Sequence, residues 1–514
     1  MNRLTDYNRK IVAFDEVSRI VDNMKTSGKR VIQSPGVFDI IHPGIVQHLD
    51  EAKAMGDVLV VTVTRDSDVR RGPGRPVFPD KMRAENVAAL EPVDYVAIVE
   101  DTVPFECVTR LQPDVFVKGH AHRERDKKIH DKLFQEEREL YFGKIEILET
   151  SGFSCSASLI INDFLDIYPD ETKAYLRNFS SRYSFNTILE AINSLRDLNV
   201  LLVGDGIIDE YHYCMPLGKS AKAQLVVNKF LTAETFAGGV FAVANHVAGI
   251  CDNVTLITML GEENSEEEFI RGHLKPNVRT CFFHRDDGPT IVKKRYVDNY
   301  RHQKLFEINY LNDTTITGKL VQEVLSCLNA EIPNHDLILL ADFGHGLISR
   351  KIIDFLQETS CPMAVNTQTN AANTGFNMVT KYRRPRFVCL DETEARLSMQ
   401  NRFDDIRNVA KDLIRILETN MLIITLGKKG AMGIDNDGTL CDVPIFSSKV
   451  LDTVGAGDAF FSFTAPCAAR RMPLEMITFI GNAVGALAVQ IMGNKRPVEK
   501  HELLEFVHTL LNNH

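Results

Sequence analysis

The stretch Asp452-Thr453-Val454-Gly455-Ala456-Gly457-Asp458-Ala459-Phe460 is the most informative part of this chain. Two glycines flank one alanine, so little side chain obstructs the backbone N–H groups of the turn. The residues from Ala456 to Arg471 have the spacing of a long helix. A Gly-rich turn that opens a helix suits a phosphoryl group in transfer, because first-turn amides and the helix dipole both favour an anion. An Asp at the end of such a turn can take the proton from an attacking hydroxyl. An Asp that merely capped a helix would explain neither glycine.

Around that turn, short apolar strands alternate with helices. Strands are expected at 200–203, 254–259, 336–341, 362–365, 387–390, 421–426 and 431–434, and helices at 239–250 and 474–492. The first third repeats the pattern, with strands at 29–33, 57–64, 95–99, 114–117 and 144–148. Helices are expected there at 11–28, 42–55, 81–90 and 105–111. Such alternation means βαβ units and mostly parallel sheets. Between the two regions, Tyr168–Phe185 is polar, holds a Pro and breaks the pattern. The expected organisation is a Rossmann-like α/β domain over 1–168, a linker over 169–189 and a second α/β domain over 190–514.

Composition narrows the function classes. At 514 residues, with 44% hydrophobic and 25% charged side chains, the chain is globular. Lys plus Arg number 59 against 69 for Asp plus Glu, a net charge of −10. A protein held to nucleic acid by phosphate contacts shows a basic excess or stripe, and this chain has neither. Its ten cysteines are scattered, without the close spacing of zinc or iron–sulfur sites. Isolated cysteines fit a reducing cytosol. The opening MNRLTDYNRKIVAFDE has no apolar core of a signal peptide, and no apolar run approaches the ~20 residues of a membrane span. A cytoplasmic protein that meets neither nucleic acid nor membrane is expected.

The turn at 452–458 closely resembles the DTxGAGD motif of the ribokinase-like (PfkB) sugar kinases. The resemblance implies that Asp458 is the catalytic base and that Gly455, Ala456 and Gly457 form the anion hole. Other pieces follow in the family's order over about 195–512. Val203-Gly204-Asp205 stands where these kinases carry a Gly-Asp that meets the sugar. Gly238-Gly239 opens the next helix, as in their GG motif. Pro289-Thr290-Ile291 with Lys294-Arg295 resembles a segment of the heptose kinases, which makes Arg295 a candidate sugar contact. Asp342-Phe343-Gly344-His345-Gly346 resembles their DYxKG turn. Asp391-Glu392-Thr393-Glu394 stands at their NxxE, whose Glu helps to organise Mg²⁺, so Glu394 is the candidate metal residue. Thr425-Leu426-Gly427-Lys428-Lys429-Gly430 resembles the nucleotide loop, with Thr425, Gly427 and Gly430 as candidates. Asn482 lies in a helix that lines the adenine site in that family.

The departures cluster on the sugar side. Ala242 stands for an Asn, His345 for a Lys, Asn366-Thr367-Gln368 for Asp-Pro-Lys, and Asp391 for the Asn of NxxE. The phosphotransfer end is kept while the acceptor end is rewritten. That implies an acceptor other than heptose 7-phosphate, or a site that binds without turnover.

In the first third, Pro35-Gly36-Val37-Phe38-Asp39-Ile40-Ile41-His42-Pro43-Gly44-Ile45 sits between a strand and a helix. Backbone N–H groups and an imidazole at a helix start favour a phosphate. This segment resembles the HxGH motif of cytidylyltransferase-type nucleotidyltransferases. Gly56-Asp57, Lys118-Gly119 and Ser151-Gly152-Phe153-Ser154-Cys155-Ser156 resemble further family pieces, in order, over about 30–165. The resemblance implies His42 and Lys118 as catalytic residues, and Phe38, Asp39, Gly44, Ser154 and Ser156 as nucleotide contacts. The second His of the motif is Ile45. Loss of one such donor typically costs about 10²–10³ in rate. His48, one turn on, lies ~4.5 Å deeper at 1.5 Å per residue, which makes it a poor substitute. Arg65, Arg70, Arg71 and Arg75 form a basic Gly/Pro loop that reads equally as a phosphate clamp or as a solvated loop.

Together the halves resemble the bifunctional ADP-heptose synthases, in which the kinase comes first; here the order is reversed. The expected function is nucleotide-sugar synthesis. A sugar or sugar phosphate is phosphorylated from ATP with Mg²⁺, then joined to a nucleotide, with CTP as a second candidate nucleotide. A homodimer is the expected assembly. Two other readings stay open, a sugar kinase with a degenerate transferase domain and a non-catalytic nucleotide- or sugar-binding protein. A P-loop fails because Tyr213 holds the first Gly position before Gly218-Lys219-Ser220. No GxGxxG opens a helix after a strand, and HExxH and GxSxG are absent.

Overall fold

The computed structural model describes residues 7–69, 75–99, 106–118, 145–150, 168–301, 303–447 and 450–511. The chain forms two compact units, Met1–Asp170 with His508–His514, and Glu171–Val507. The candidates Ser154 and Ser156, with Gly119, Arg70 and Arg71, lie outside the described residues.

The first unit is built on five parallel strands. These are β1 (Val31–Gly36), β2 (Val58–Thr64), β3 (Tyr95–Val99), β4 (Val115–Lys118) and β5 (Glu146–Glu149), in the order β3-β2-β1-β4-β5. β2 reads VLVVTVT with its first six residues buried, as a strand covered on both faces must. The order reverses between β1 and β4, and in open α/β sheets ligands bind outside the carboxyl ends at such a switch point. Gly36 ends β1 and Lys118 ends β4, so the motif residues from both strands meet that position.

The second unit holds a nine-stranded sheet in the order β10-β9-β6-β13-β14-β15-β16-β17-β18. Its strands are β6 (Asn199–Gly204), β9 (Asn253–Gly261), β10 (Val278–Arg285), β13 (Leu337–Asp342), β14 (Met363–Thr367), β15 (Phe387–Asp391), β16 (Met421–Thr425), β17 (Ala431–Asp435) and β18 (Leu440–Val443). Pairing is parallel from β10 through β16 and antiparallel at β17 and β18. The helices at Ala456–Ala469 and Leu474–Ala488 are buried along most of their length. Their apolar residues therefore run all round rather than in a stripe.

A separate four-stranded sheet has the order β12-β11-β7-β8. β7 is Gly206–Lys219, β8 is Val226–Gly239, β11 is Ile291–Asp298 and β12 is Lys304–Tyr310. The sequence reading placed no strand in these segments. Their signal is weak because one face is solvated: all seven residues of β12 are exposed, as is the middle of β8. The stretch expected as a linker carries two helices, Asp170–Arg182 and Phe185–Asn193. Phe179 is buried against Phe479 with ring centroids 4.1 Å apart, and Arg182 grips Glu475 through two bonds of 2.5 and 2.6 Å. These contacts make the segment part of the second unit's core.

Candidate active sites

In the second unit, the turn before the helix Ala456–Ala469 is set by Gly455, at φ +81°. A Cβ there would also lie 2.1 Å from Asn494 Oδ1, so only glycine fits. Ala456 N–H turns back to Thr453 O at 3.3 Å. The Gly457 and Asp458 amides lie in the first helical turn, where a helix has no carbonyl to offer them. Asp458 is buried, and its Oδ1 accepts a hydrogen bond from Gln368 Nε2. Burial pushes its carboxyl up to about 7, against the pull of the Gln368 bond. Asp452, at the start of the motif, is a clamp. Its Oδ1 accepts from Lys304 Nζ at 2.7 Å and Val454 N–H at 3.1 Å. Its Oδ2 accepts from Tyr211 OH at 2.8 Å and Gly493 N–H at 2.9 Å.

The inner face of the four-stranded sheet carries charge toward this turn. Parallel register sets Lys293 opposite Asp209 and Arg295 opposite Tyr211. Arg295 bonds Asp209 and reaches Glu307 Oε2 at 2.8 Å. Asn494 Nδ2 donates to Asp209 Oδ2 at 2.9 Å. A Cβ on Gly238 would sit 2.1 Å from that same oxygen, so this glycine makes room for the carboxylate. Gly239 (φ +54°) ends β8 and starts the helix Val240–Ala248. Arg295, expected to touch sugar, is paired with Asp209.

Asp205, also expected at the sugar, holds a turn. It accepts from His345 N–H at 3.1 Å and Leu347 N–H at 3.2 Å. Burial and the nearby Asp342 push it up to about 6. Glu394 sits in a capping box: Oε2 accepts from Asp391 N–H at 2.8 Å, and Asp391 Oδ1 accepts from Glu394 N–H at 2.7 Å. Oε1 accepts from Thr369 N–H at 3.0 Å, and burial raises the carboxyl to about 8. Both oxygens face backbone amides, which does not fit a direct ligand of Mg²⁺. Among the described residues no group of three or more His, Cys, Asp or Glu side chains could hold a metal.

On the nucleotide side, Thr425 ends β16, and Gly427 (φ +57°) and Gly430 (φ +93°) shape the loop after it. A Cβ on Gly430 would meet Val443 O at 2.0 Å. Asn482 is buried in the helix Leu474–Ala488 and donates to Pro444 O. The sequence reading missed Asp209 and Lys293. A period-two alternation in IVKKRYVD, once recognised, puts Lys293 and Arg295 on one face.

In the first unit, His42 is the N-cap of the helix Pro43–Ala54, buried, and its side chain makes no cap bond. Gly44 is buried in the first turn. Phe38 has φ +51° and its ring covers Gly36. Asp39 accepts from Val77 N–H at 2.8 and 2.9 Å and from Phe78 N–H at 3.0 Å, so it ties down the neighbouring loop. Lys118 is the last residue of β4. Ile45 packs against the core cluster that holds Phe38 and Leu49. His48 bonds Ser34 Oγ at 2.8 Å and Thr150 Oγ1 at 2.7 Å, so both ring nitrogens are engaged. Burial keeps its pKa below the ordinary value. Arg65 pairs with Asp68 at 3.3 Å. Arg83, overlooked in the sequence, is fully buried. It donates to Val37 O, to Phe78 O at 2.8 Å, to Thr64 O at 2.7 Å and to Asp66 Oδ1 at 2.6 Å.

A buried Asp on a Gly-rich helix start, roofed by a charged sheet, and a parallel sheet with a His-bearing helix at its switch point define a chain of two transferase-type units. The chain belongs to the pfkB family of carbohydrate kinases, whose family model matches residues 199–501, and a cytidylyltransferase-like model matches residues 34–161. The bifunctional protein HldE of Sulfurimonas denitrificans is 46% identical over 111 residues, 21% of this chain and 23% of that protein. HldE of Geobacter metallireducens is 34% identical over 169 residues, 32% and 33%. The chain thus spans about a quarter to a third of these relatives. An FAD synthase of Archaeoglobus profundus is 32% identical over 151 residues, 29% of this chain and 96% of that protein. Among solved structures, phosphofructokinase-2 from Escherichia coli in complex with potassium has a TM-score of 0.49 at 15% identity, covering 61% of this chain and 99% of that one. A ribokinase from Thermotoga maritima has a TM-score of 0.48 at 17% identity, covering 60% and 99%. No helix among the described residues is long and apolar enough to cross a membrane.

Proposed function

We propose that the second unit phosphorylates a sugar or sugar phosphate from ATP, and that the first unit joins a nucleotide to a sugar phosphate. The observation that carries the kinase reading is Asp458, buried at the first turn of a helix beside two first-turn amides, with a carboxyl raised to about 7. A base poised near the working pH is efficient. The acceptor hydroxyl gives its proton to Asp458 as its oxygen forms a bond to the γ-phosphorus. The bond from that phosphorus to the bridging oxygen breaks, and ADP leaves. The Gly457 and Asp458 amides hold the phosphoryl oxygens in flight. Gly455 shapes this turn, and the loop of Thr425, Gly427 and Gly430, with Asn482, lies on the nucleotide side. Asp209, fixed by Arg295 and Asn494, orients the acceptor. Mg²⁺ arrives with the triphosphate as part of the substrate.

In the first unit, a phosphate oxygen of the sugar phosphate attacks the α-phosphorus of ATP or CTP and pyrophosphate leaves. His42 and Lys118, at the sheet's switch point, stabilise that charge. A second reading has its own support: Ile45 faces the core and His48 is held on both nitrogens, so one imidazole acts alone. On that reading the first unit binds nucleotide and transfers slowly. A cytoplasmic chain fits both units, which depend on nucleoside triphosphates and carry free cysteines. A second copy of the chain is the proposed partner, covering the exposed Phe230, Phe306, Ile308 and Tyr310 of the four-stranded sheet.

Product analysis by mass spectrometry tests the reading. Purified protein is incubated with ATP, CTP, Mg²⁺ and a panel of sugars and sugar phosphates. A phosphorylated sugar that becomes a nucleotide sugar is the expected result. Phosphorylation alone selects the second reading, and ATP binding without product rejects the kinase.

A further inference from the structure

The helix Gly318–Glu331 packs on β10, the edge strand of the nine-stranded sheet, and two side-chain pairs join them. Arg279 and Cys281 lie two apart on β10, so they share a face. Cys327 and Glu331 lie four apart on the helix, one turn from each other. Arg279 clamps Glu331, with Nη1 donating to Oε1 at 2.9 Å and Nη2 to Oε2. Beside that ion pair, the Cys281 and Cys327 thiols hydrogen-bond each other. Arg279 Nη1 also approaches Cys281 Sγ at 4.0 Å.

The surroundings separate this pair from other cysteines of the chain. Burial pushes the thiols of Cys251, Cys389 and Cys467 up, as befits cysteines that serve as small apolar side chains. Cys281 moves the other way. The hydrogen bond from Cys327, helped by the Arg279 charge, outweighs burial and holds it below the ordinary thiol range. Its partner Cys327, the donor of that bond, is held above the range. A thiolate-prone sulfur that touches a thiol is the arrangement of an attacking and a resolving cysteine. Both are only partly buried, so a small oxidant can reach them.

The chain between the two cysteines carries β11 and β12. It leaves the nine-stranded sheet after β10, builds half of the four-stranded sheet and returns through the helix Gly318–Glu331. Cys281 and Cys327 therefore stand at the two roots of that excursion.

We propose that Cys281 and Cys327 form a redox site, which a peroxide converts to a disulfide that staples the roots of β11 and β12. The Cys281 thiolate attacks one peroxide oxygen and the O–O bond breaks. Cys281 becomes a sulfenic acid, and the proton it shed joins the departing hydroxide as water. The Cys327 sulfur then attacks the Cys281 sulfur, the S–O bond breaks, and the Cys327 proton leaves with that oxygen as a second water. Two thiols are oxidised and one hydrogen peroxide is reduced to two waters. A dithiol reverses the bond by exchange. In a reducing compartment, disulfides are mostly of this transient, redox-sensing kind.

For the test, the reduced full chain is treated with one equivalent of hydrogen peroxide and its remaining thiols are blocked with iodoacetamide. Peptides are then mapped by mass spectrometry without reductant. The expected product is a peptide pair joined through Cys281 and Cys327, two hydrogens lighter than the free peptides, and dithiothreitol should remove it. The oxidised protein should melt several degrees above the reduced one, because the cross-link restricts the unfolded chain. Cys327→Ser should leave Cys281 as a sulfenic acid, trapped by dimedone, and should abolish the shift. Cys361→Ser, at another partly buried cysteine, should keep both the link and the shift. The mapping and the melting use wild type alone, so they stand even where Cys327→Ser fails to fold. Alkylation of both Cys281 and Cys327 after oxidation, a link through other cysteines, or one melting temperature in both redox states overturns the proposal.

Discussion

Gln368 donates its side-chain amide to Oδ1 of Asp458, so the proposed base is held by a neutral group and not by a cation. A cation in contact would favour the carboxylate and lower its pKa. Gln368→Lys should therefore move the acidic limb of the kcat–pH profile to lower pH. A profile that does not move would remove Asp458 from the role of base.

Asp458→Asn should lower kcat by about 10²–10⁴ while ATP binding persists. It also has a signature in stability. The folded pKa, about 7, lies above the ordinary 3.8. The fold thus favours the protonated form, and that contribution is complete below about pH 4 and lost as pH rises through 7. The Asn variant escapes the loss. Its melting temperature should exceed wild type by several degrees at pH 8 and by much less at pH 5, read by calorimetry at both values.

Gly238→Ala places a Cβ 2.1 Å from Asp209 Oδ2. The carboxylate must shift away from Arg295 or Asn494. The expected outcome is a loss of about 1–3 kcal/mol in stability and a raised acceptor KM, with the KM for ATP unchanged. Isothermal denaturation and steady-state kinetics read the two effects.

Arg83→Met leaves the carbonyls of Val37, Phe78 and Thr64 without their donor and Asp66 without its partner. Asp66 is half-exposed and keeps water, so the cost is that of buried carbonyls left without a donor, about 1–3 kcal/mol. Urea unfolding followed by a probe in the first unit should show the loss, while the kinase activity of the second unit is unaffected.

Ile45→His should fail to restore fast nucleotidyl transfer. The side chain it replaces packs against the cluster around Phe38 and Leu49, and an imidazole there would bury polar atoms. A gain of tenfold or more in transfer rate would show that the position faces the nucleotide.

The sequence by itself determined most of the sheet strands and the Gly-bearing turns that open the helices at 43 and 456. VLVVTVT at 58–64 can only be a buried strand, and the helix start at 455–458 follows from Gly455 and Gly457. These are local signals, in which apolar runs and glycines act within a few residues. The tertiary structure alone decided how the candidates divide their work. Asp205 accepts the His345 and Leu347 amides from a distant turn, and Glu394 accepts Thr369 N–H, 25 residues away, besides the Asp391 N–H of its own capping box. Arg295, a candidate substrate contact in the sequence, is paired with Asp209, 86 residues away. The four-stranded sheet was hidden because strands with one solvated face carry no continuous apolar run, and it is this sheet that sets Lys293 opposite Asp209. Which charges pair with one another depends on strand register, and register is a property of the folded chain.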